Sequence, residues 1–188
     1  MTPVLVVQVR NLKNVVEGIK MGTRGSFGFI INGEKKIAYN HFDSYPSGLG
    51  QDILEQLVEI GDLEILKKAV AEIEMVDEDS EPTDEQREYC NNHNTADPNV
   101  NRGEGWYSLL RRHQGMITPY VDGFKYMLDG EWAFNAEEYD YLIDFDNNKF
   151  EFYAYRELID VLDLNKVMEL EKPMIKNIIN EWEDRDDE

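Results

Sequence analysis

Cysteine occurs once in the 188 residues, histidine three times and proline six times. The lone Cys90 excludes an internal disulfide and suits a reducing compartment. Cys90-Asn91-Asn92-His93 has the spacing of half a zinc site, but no second pair completes it. No stretch reaches the roughly 18 apolar residues that a membrane-spanning helix needs. Val4-Leu5-Val6-Val7 is too short for one, and no small-residue cleavage site follows it, so a secretory signal is not expected. Neither G-x-x-x-x-G-K-[ST] nor G-x-G-x-x-G occurs, so no nucleotide cofactor is implied. Bases are scarce as well, 19 against 39 acids, for a net charge of −20.

That charge is graded along the chain. Residues 1–61 carry six acids and six bases, residues 62–127 fourteen and seven, and residues 128–188 nineteen and six. Such a field repels nucleic acid and anionic membranes and attracts a basic surface. The expected partner is therefore a protein with a basic face, of which nucleic-acid-binding enzymes are the commonest owners, and neither nucleic acid itself nor a membrane.

The glycine-rich stretch from Met21 to Gly50 organises the rest. Phe27 to Ile31 is an apolar run that stops at Asn32-Gly33, a strong hairpin signal, and resumes as Lys36-Ile37-Ala38-Tyr39. The returning strand delivers Asn40, His41, Asp43, Ser44 and Tyr45 beside Thr23 and Arg24. Helical spacing follows over Leu49 to Ile60, ended by Gly61, and Asp62 caps a second helix. Thr83 and Gln86 form a capping box, Asn91 to Gly105 reads as an exposed loop, and Trp106 to Gln114 as a compact helix. Trp106, Leu110 and Trp132 are expected in the core. Tyr139 to Tyr155 is a second hairpin with an aromatic face and a face bearing Asp140, Asp144 and Asp146. Leu158 to Met168 and Pro173 to Trp182 read as closing helices. The expected architecture is α+β: a mainly antiparallel sheet built from two hairpins with packed helices, in one domain over residues 21–182. Residues 183–188 read as a disordered acidic tail. Residues 1–20 read as an extension, because Glu17 to Met21 back-translates into a purine-rich ribosome-binding sequence ahead of an ATG. That predicts a start at Met21. MGTRGS also fits a myristoylation pattern, which a bacterial host could not use.

MGTRGSFGF with YNHFDSYPSGLG, then GWYSLLRRHQG, then GEWAF with a YLIDFDNNKFEFY hairpin, resemble a family of bacteriophage and prophage proteins. The resemblance covers most of residues 21–155. It carries no activity with it and implies a virus-encoded accessory protein in the cytoplasm of a bacterial host. The FNAEE segment after Trp132 departs from the family pattern. A second, more distant likeness is to amino-terminal-nucleophile hydrolases, in which an Asn and an Asp three residues apart support a nucleophile on the neighbouring strand. Asn40 and Asp43 have that spacing, although Gly22 and not a nucleophile would follow the initiator methionine.

Two functions follow as expectations. The first is a binding protein that blunts a nuclease-based host defence by mimicking DNA. Arg24 and Tyr45 would sit at its binding surface, and Asp140, Asp144 and Asp146 would replace phosphates from the polar side of their strand, where reversing them should leave the fold intact. The second is a small amidohydrolase with Thr23 as nucleophile and Asn40, His41 and Asp43 in support. His41 and Asp43 could share a strand face, but no third metal ligand accompanies them.

Overall fold

The computed structural model describes residues 22–97 and 105–186. The readings for residues 1–20, the middle of the Asn91–Gly105 loop and the last two residues lie outside it.

β1 (Gly25–Ile31) and β2 (Glu34–Asn40) form the first hairpin, with Gly25 opposite Asn40. Its turn residues Asn32 and Gly33 both have positive φ, 53° and 78°, as a type I′ turn requires. A wide turn, Pro46–Gly50, leads into α1 (Gln51–Ile60), and α2 (Leu63–Ala71) follows. Gly61 at φ 62° ends α1, and the Asp62 carboxylate accepts the Glu64 and Ile65 N–H groups to start α2. β3 (Glu74–Val76) precedes α3 (Asp84–Asn92), whose capping box joins Thr83 and Gln86 in both directions. Next come α4 (Trp106–Leu109), a 3₁₀ turn at Arg111–His113, α5 (Thr118–Val121) and β4 (Tyr126–Leu128). A second 3₁₀ turn, Glu131–Ala133, leads to β5 (Tyr139–Asp144), β6 (Lys149–Ala154) and β7 (Glu157–Asp163). α6 (Leu164–Val167) and α7 (Lys172–Asp186) close the chain.

The strands make an α+β fold around one five-stranded sheet, ordered β2-β1-β5-β6-β7, and a separate parallel pair, β3-β4. All pairings in the large sheet are antiparallel except the central one, β1 with β5. Gly25 and Gly28 serve this close strand packing: a Cβ at Gly25 would overlap Tyr139 O, and one at Gly28 would overlap Lys36 O. One sheet face carries Phe27, Phe29, Tyr141, Ile143, Phe150 and Phe152. Against it pack Ile53, Leu54 and Leu57 of α1, Leu66 and Val70 of α2, and Trp182 of α7.

Four expectations are corrected. Leu158 to Met168 is not one helix but strand β7 followed by the single turn α6. The Leu158, Val161, Leu162 spacing satisfies a helix as well as a bulged strand, and pairing with β6 decides. The Pro173–Trp182 helix runs on to Asp186, so the tail is ordered that far; Arg185 donates to Ile159 O at 2.9 Å. Together with the bulge at Phe152/Tyr153 and the Asp160 carboxylate on the Val161 N–H, Arg185 blunts the outer edge of the sheet. Trp132 is 60% exposed, not core. Lastly, the acidic face of the second hairpin is covered at Asp140 and Asp144, and only Asp146 is exposed. Gly130 to Glu138, which contains the FNAEE departure, folds over that face, placing Asn135 N 2.9 Å from Asp140 Oδ2 and Phe134 edge-on against Tyr153.

The turn between β6 and β7 puts Tyr155 and Arg156 at φ 49° and 74°, a region that L-residues other than Asn and Gly occupy at a cost. Tyr155→Asn with Arg156→Gly should therefore raise stability by about 1 kcal/mol. Thermal unfolding checks it, and a lower midpoint would show that the exposed Tyr155 ring, 5.7 Å from Tyr139, matters more than the turn.

Candidate functional site

The two ends of the first hairpin do lie side by side, joined by Ser44 N–H donating to Thr23 O at 3.2 Å. Asn40 lies buried at the end of β2, its amide nitrogen donating to Phe42 O and to Ser44 Oγ. Tyr141 OH donates to Ser44 O from the neighbouring strand. The chain leaves the strand after Asn40, and Asp43 is exposed with φ 51°, so His41 and Asp43 do not share a strand face. His41 Nδ1 pairs with Tyr39 OH at 2.8 Å. The Thr23 hydroxyl is buried and has no hydrogen-bond partner among the described residues. Proximity is thus real, but Asn40 is engaged in holding its own loop.

Of the binding residues, Arg24 is exposed and anchored through its backbone, its N–H donating to Glu138 Oε2 at 2.7 Å. Tyr45 is half-buried against the core, and burial first, then Asp43, raises its phenol pKa. The three acids of the second hairpin all accept hydrogen bonds within the fold, and two of them are buried. Asp140 is 1% exposed and accepts from Ser26 Oγ at 2.6 Å; burial pushes its carboxyl up. Asp144 is 4% exposed and accepts from Asp146 N, Asn147 N and the Asn147 amide, capping the β5–β6 turn. Asp146 is exposed, yet its two oxygens accept the Asn32 and Gly33 N–H groups at 2.8 and 2.7 Å, clamping the first hairpin's turn.

A feature that the sequence reading did not single out lies next to Asp43. Asp52, Glu55 and Glu59 project from one stripe of α1, opposite its buried Ile53 and Leu57. Their i, i+3, i+7 spacing was the available signal. They line an open cleft of about 650 Å³ together with Phe42, Asp43, Asp97, Arg111 and Arg112. Gln56 pins the floor: its Oε1 accepts the Ile117 and Thr118 N–H groups, and its Nε2 donates to Gly115 O. Burial, followed by the neighbouring Glu55, raises the Asp52 carboxyl pKa. Arg111 lies 4.7 Å over the Phe42 ring and is held by Gln114 Oε1, while Arg112 donates to Asn94 Oδ1 at 2.7 Å. Among the described residues no group of three or more His, Cys, Asp or Glu could hold a metal ion. Nor is any described helix long and apolar enough to cross a membrane.

His113, at the end of the Arg111–His113 turn, packs edge-on against Phe124 at 4.5 Å, and its Nδ1 is buried without a hydrogen-bond partner. Burial first, then the His93 charge, lowers its pKa from 6.5 to about 4. The unfolded chain therefore binds the extra proton between those values. The stability from the neutral ring is complete above pH 6.5 and is lost as pH falls towards 4. We expect a loss on the order of 2 kcal/mol, after allowing for the ring's partial exposure. Urea unfolding from pH 7 to 4 checks this; His113→Phe should flatten the difference, and an unchanged slope would contradict it.

Compared with known proteins, the chain matches no family model, no curated protein and no solved structure. The fold and the cleft therefore define an acidic α+β protein with an open, carboxylate-walled surface.

Proposed function

We propose that the chain is a phage-encoded accessory protein that acts in the bacterial cytoplasm by binding a host protein through a basic surface. A nuclease of an antiviral defence system is the favoured target. The observation that carries this reading is the acidic cleft in a chain of net charge −20. The resemblance to phage proteins supports the source. Carboxylates can stand in for phosphates towards Lys and Arg, but the residues for that role are Asp52, Glu55 and Glu59, since Asp140 and Asp144 are buried. The test is co-purification from infected cells across salt. Capture should weaken steeply as screening shortens to about 8 Å at physiological ionic strength. Neutralising the α1 stripe as Asp52→Asn, Glu55→Gln and Glu59→Gln should weaken the affinity about tenfold without moving the unfolding midpoint. A salt-independent partner, or none at low salt, would sink the proposal.

A further inference from the structure

Four rings run in series over the surface at the end of the first hairpin. Trp132 lies 5.0 Å from Tyr39, Tyr39 5.7 Å from His41, and His41 4.5 Å from Phe42. Trp132 is 60% and Phe42 56% exposed, whereas Trp106 and Trp182 are buried. Water contact of two large rings needs a reason, because aromatic side chains otherwise contribute by burial.

The ladder is held in place before any partner arrives. Gly130 N–H donates to Ile37 O at 2.8 Å and Ala133 N–H to Gly130 O at 2.9 Å, fixing the turn that carries Trp132 against β2. Glu131 N–H donates to Asp129 Oδ1, and the Tyr39 hydroxyl is bonded to His41 Nδ1. Rigid, exposed aromatic residues of this kind dominate protein interfaces, since little order is lost when they are covered.

Charge decides what covers them. Both ends of the ladder meet carboxylates: Glu131, 3.9 Å from Lys35 Nζ, adjoins Trp132, and Phe42 is shared with the cleft where Asp43, Asp52, Glu55 and Glu59 outnumber Arg111 and Arg112. Ring faces attract cations, and the planar, weakly hydrated guanidinium stacks on them better than an ammonium group. The protein already does this with its own residues. Arg111 lies over Phe42 at 4.7 Å, and Lys35 Nζ sits 5.1 Å from the Phe134 ring centre. A base-stacking role would need a positive groove to track phosphates, which a chain of net charge −20 does not favour.

We propose that the Trp132–Tyr39–His41–Phe42 ladder is the docking surface for arginine side chains of the partner, which the neighbouring carboxylates pair. This rests on the reading that the partner is basic, and it adds which cation is preferred and where it lands.

Trp132 is the one exposed tryptophan of three, so intrinsic fluorescence reports directly on the ladder. The full chain is titrated with oligo-arginine, oligo-lysine of equal length and an oligothymidylate, at low and physiological salt. Oligo-arginine should perturb the Trp132 emission and bind about fivefold more tightly than oligo-lysine. Trp132→Ala and Phe42→Ala, followed by peptide anisotropy, should each weaken oligo-arginine about tenfold and abolish that preference. Circular dichroism confirms folding, and Trp132→Leu, which keeps bulk but not the π face, should behave like Trp132→Ala. If the variants bind as the parent does, the ladder proposal falls while the basic-partner reading stands. If neither peptide binds even at low salt, the basic-partner reading falls as well. Tighter binding of oligothymidylate would overturn the ladder's assignment to arginine.

Discussion

Charge reversal at Asp140 and Asp144 is expected to unfold the protein. Asp140 is 1% exposed, held between Ser26 Oγ and Asn135 N, and Asp144 is 4% exposed and accepts three hydrogen bonds from the β5–β6 turn. A lysine at either position would bury an ammonium group against donors that can no longer be accepted. An uncompensated buried charge costs about 3–5 kcal/mol, and the pair together would remove most of the 5–15 kcal/mol that typically stabilises a domain. Asp140→Asn should be milder, about 1–3 kcal/mol, because an amide offers one acceptor where two N–H or O–H groups converge. Far-ultraviolet circular dichroism during urea unfolding reads these differences. A double-lysine variant with the parental midpoint would show that the Gly130–Glu138 segment does not cover this face. Asp146 is the contrasting case. It sits in water, so its loss should cost only the two turn hydrogen bonds.

Trp182→Ala should be the most damaging truncation in the core. The indole is fully buried, stacked 4.5 Å from Phe152 and 6.0 Å from Phe150, and its Nε1–H donates to Asp160 Oδ2 at 2.8 Å. It joins α7 to the sheet and, through Asp160, to the outermost strand. Removing it opens a cavity and strands a carboxylate, for a loss of about 3–5 kcal/mol. Trp182→Phe keeps much of the stack and loses the hydrogen bond, so it should cost roughly 1–2 kcal/mol. If Trp182→Ala loosens only the last helix, limited proteolysis will cut within α7 before the sheet unfolds. A parental midpoint for Trp182→Ala would contradict the stacking described above.

The elements that depend on local chemistry were legible in the sequence. Asn32-Gly33 turns the first hairpin because both residues tolerate positive φ; Gly61 and Asp62 separate two helices; and Thr83 with Gln86 caps a third. The α+β class and the place of Trp106 in the core follow from the same short-range patterns. What lies far apart in the chain was decided only by tertiary structure. β1 pairs in parallel with β5, more than a hundred residues later, so no turn between them announces the pairing. Lys36 is buried, and its ammonium donates to the Val70, Ala71 and Ile73 carbonyls at the end of α2, partners that lie more than thirty residues away in the chain. Asp140 and Trp132 exchanged places for one reason. Alternation along a strand says which residues share a face, but another segment decides whether water reaches that face. Gly130 to Glu138 covers Asp140 of β5, and the same segment carries Trp132 out into solvent.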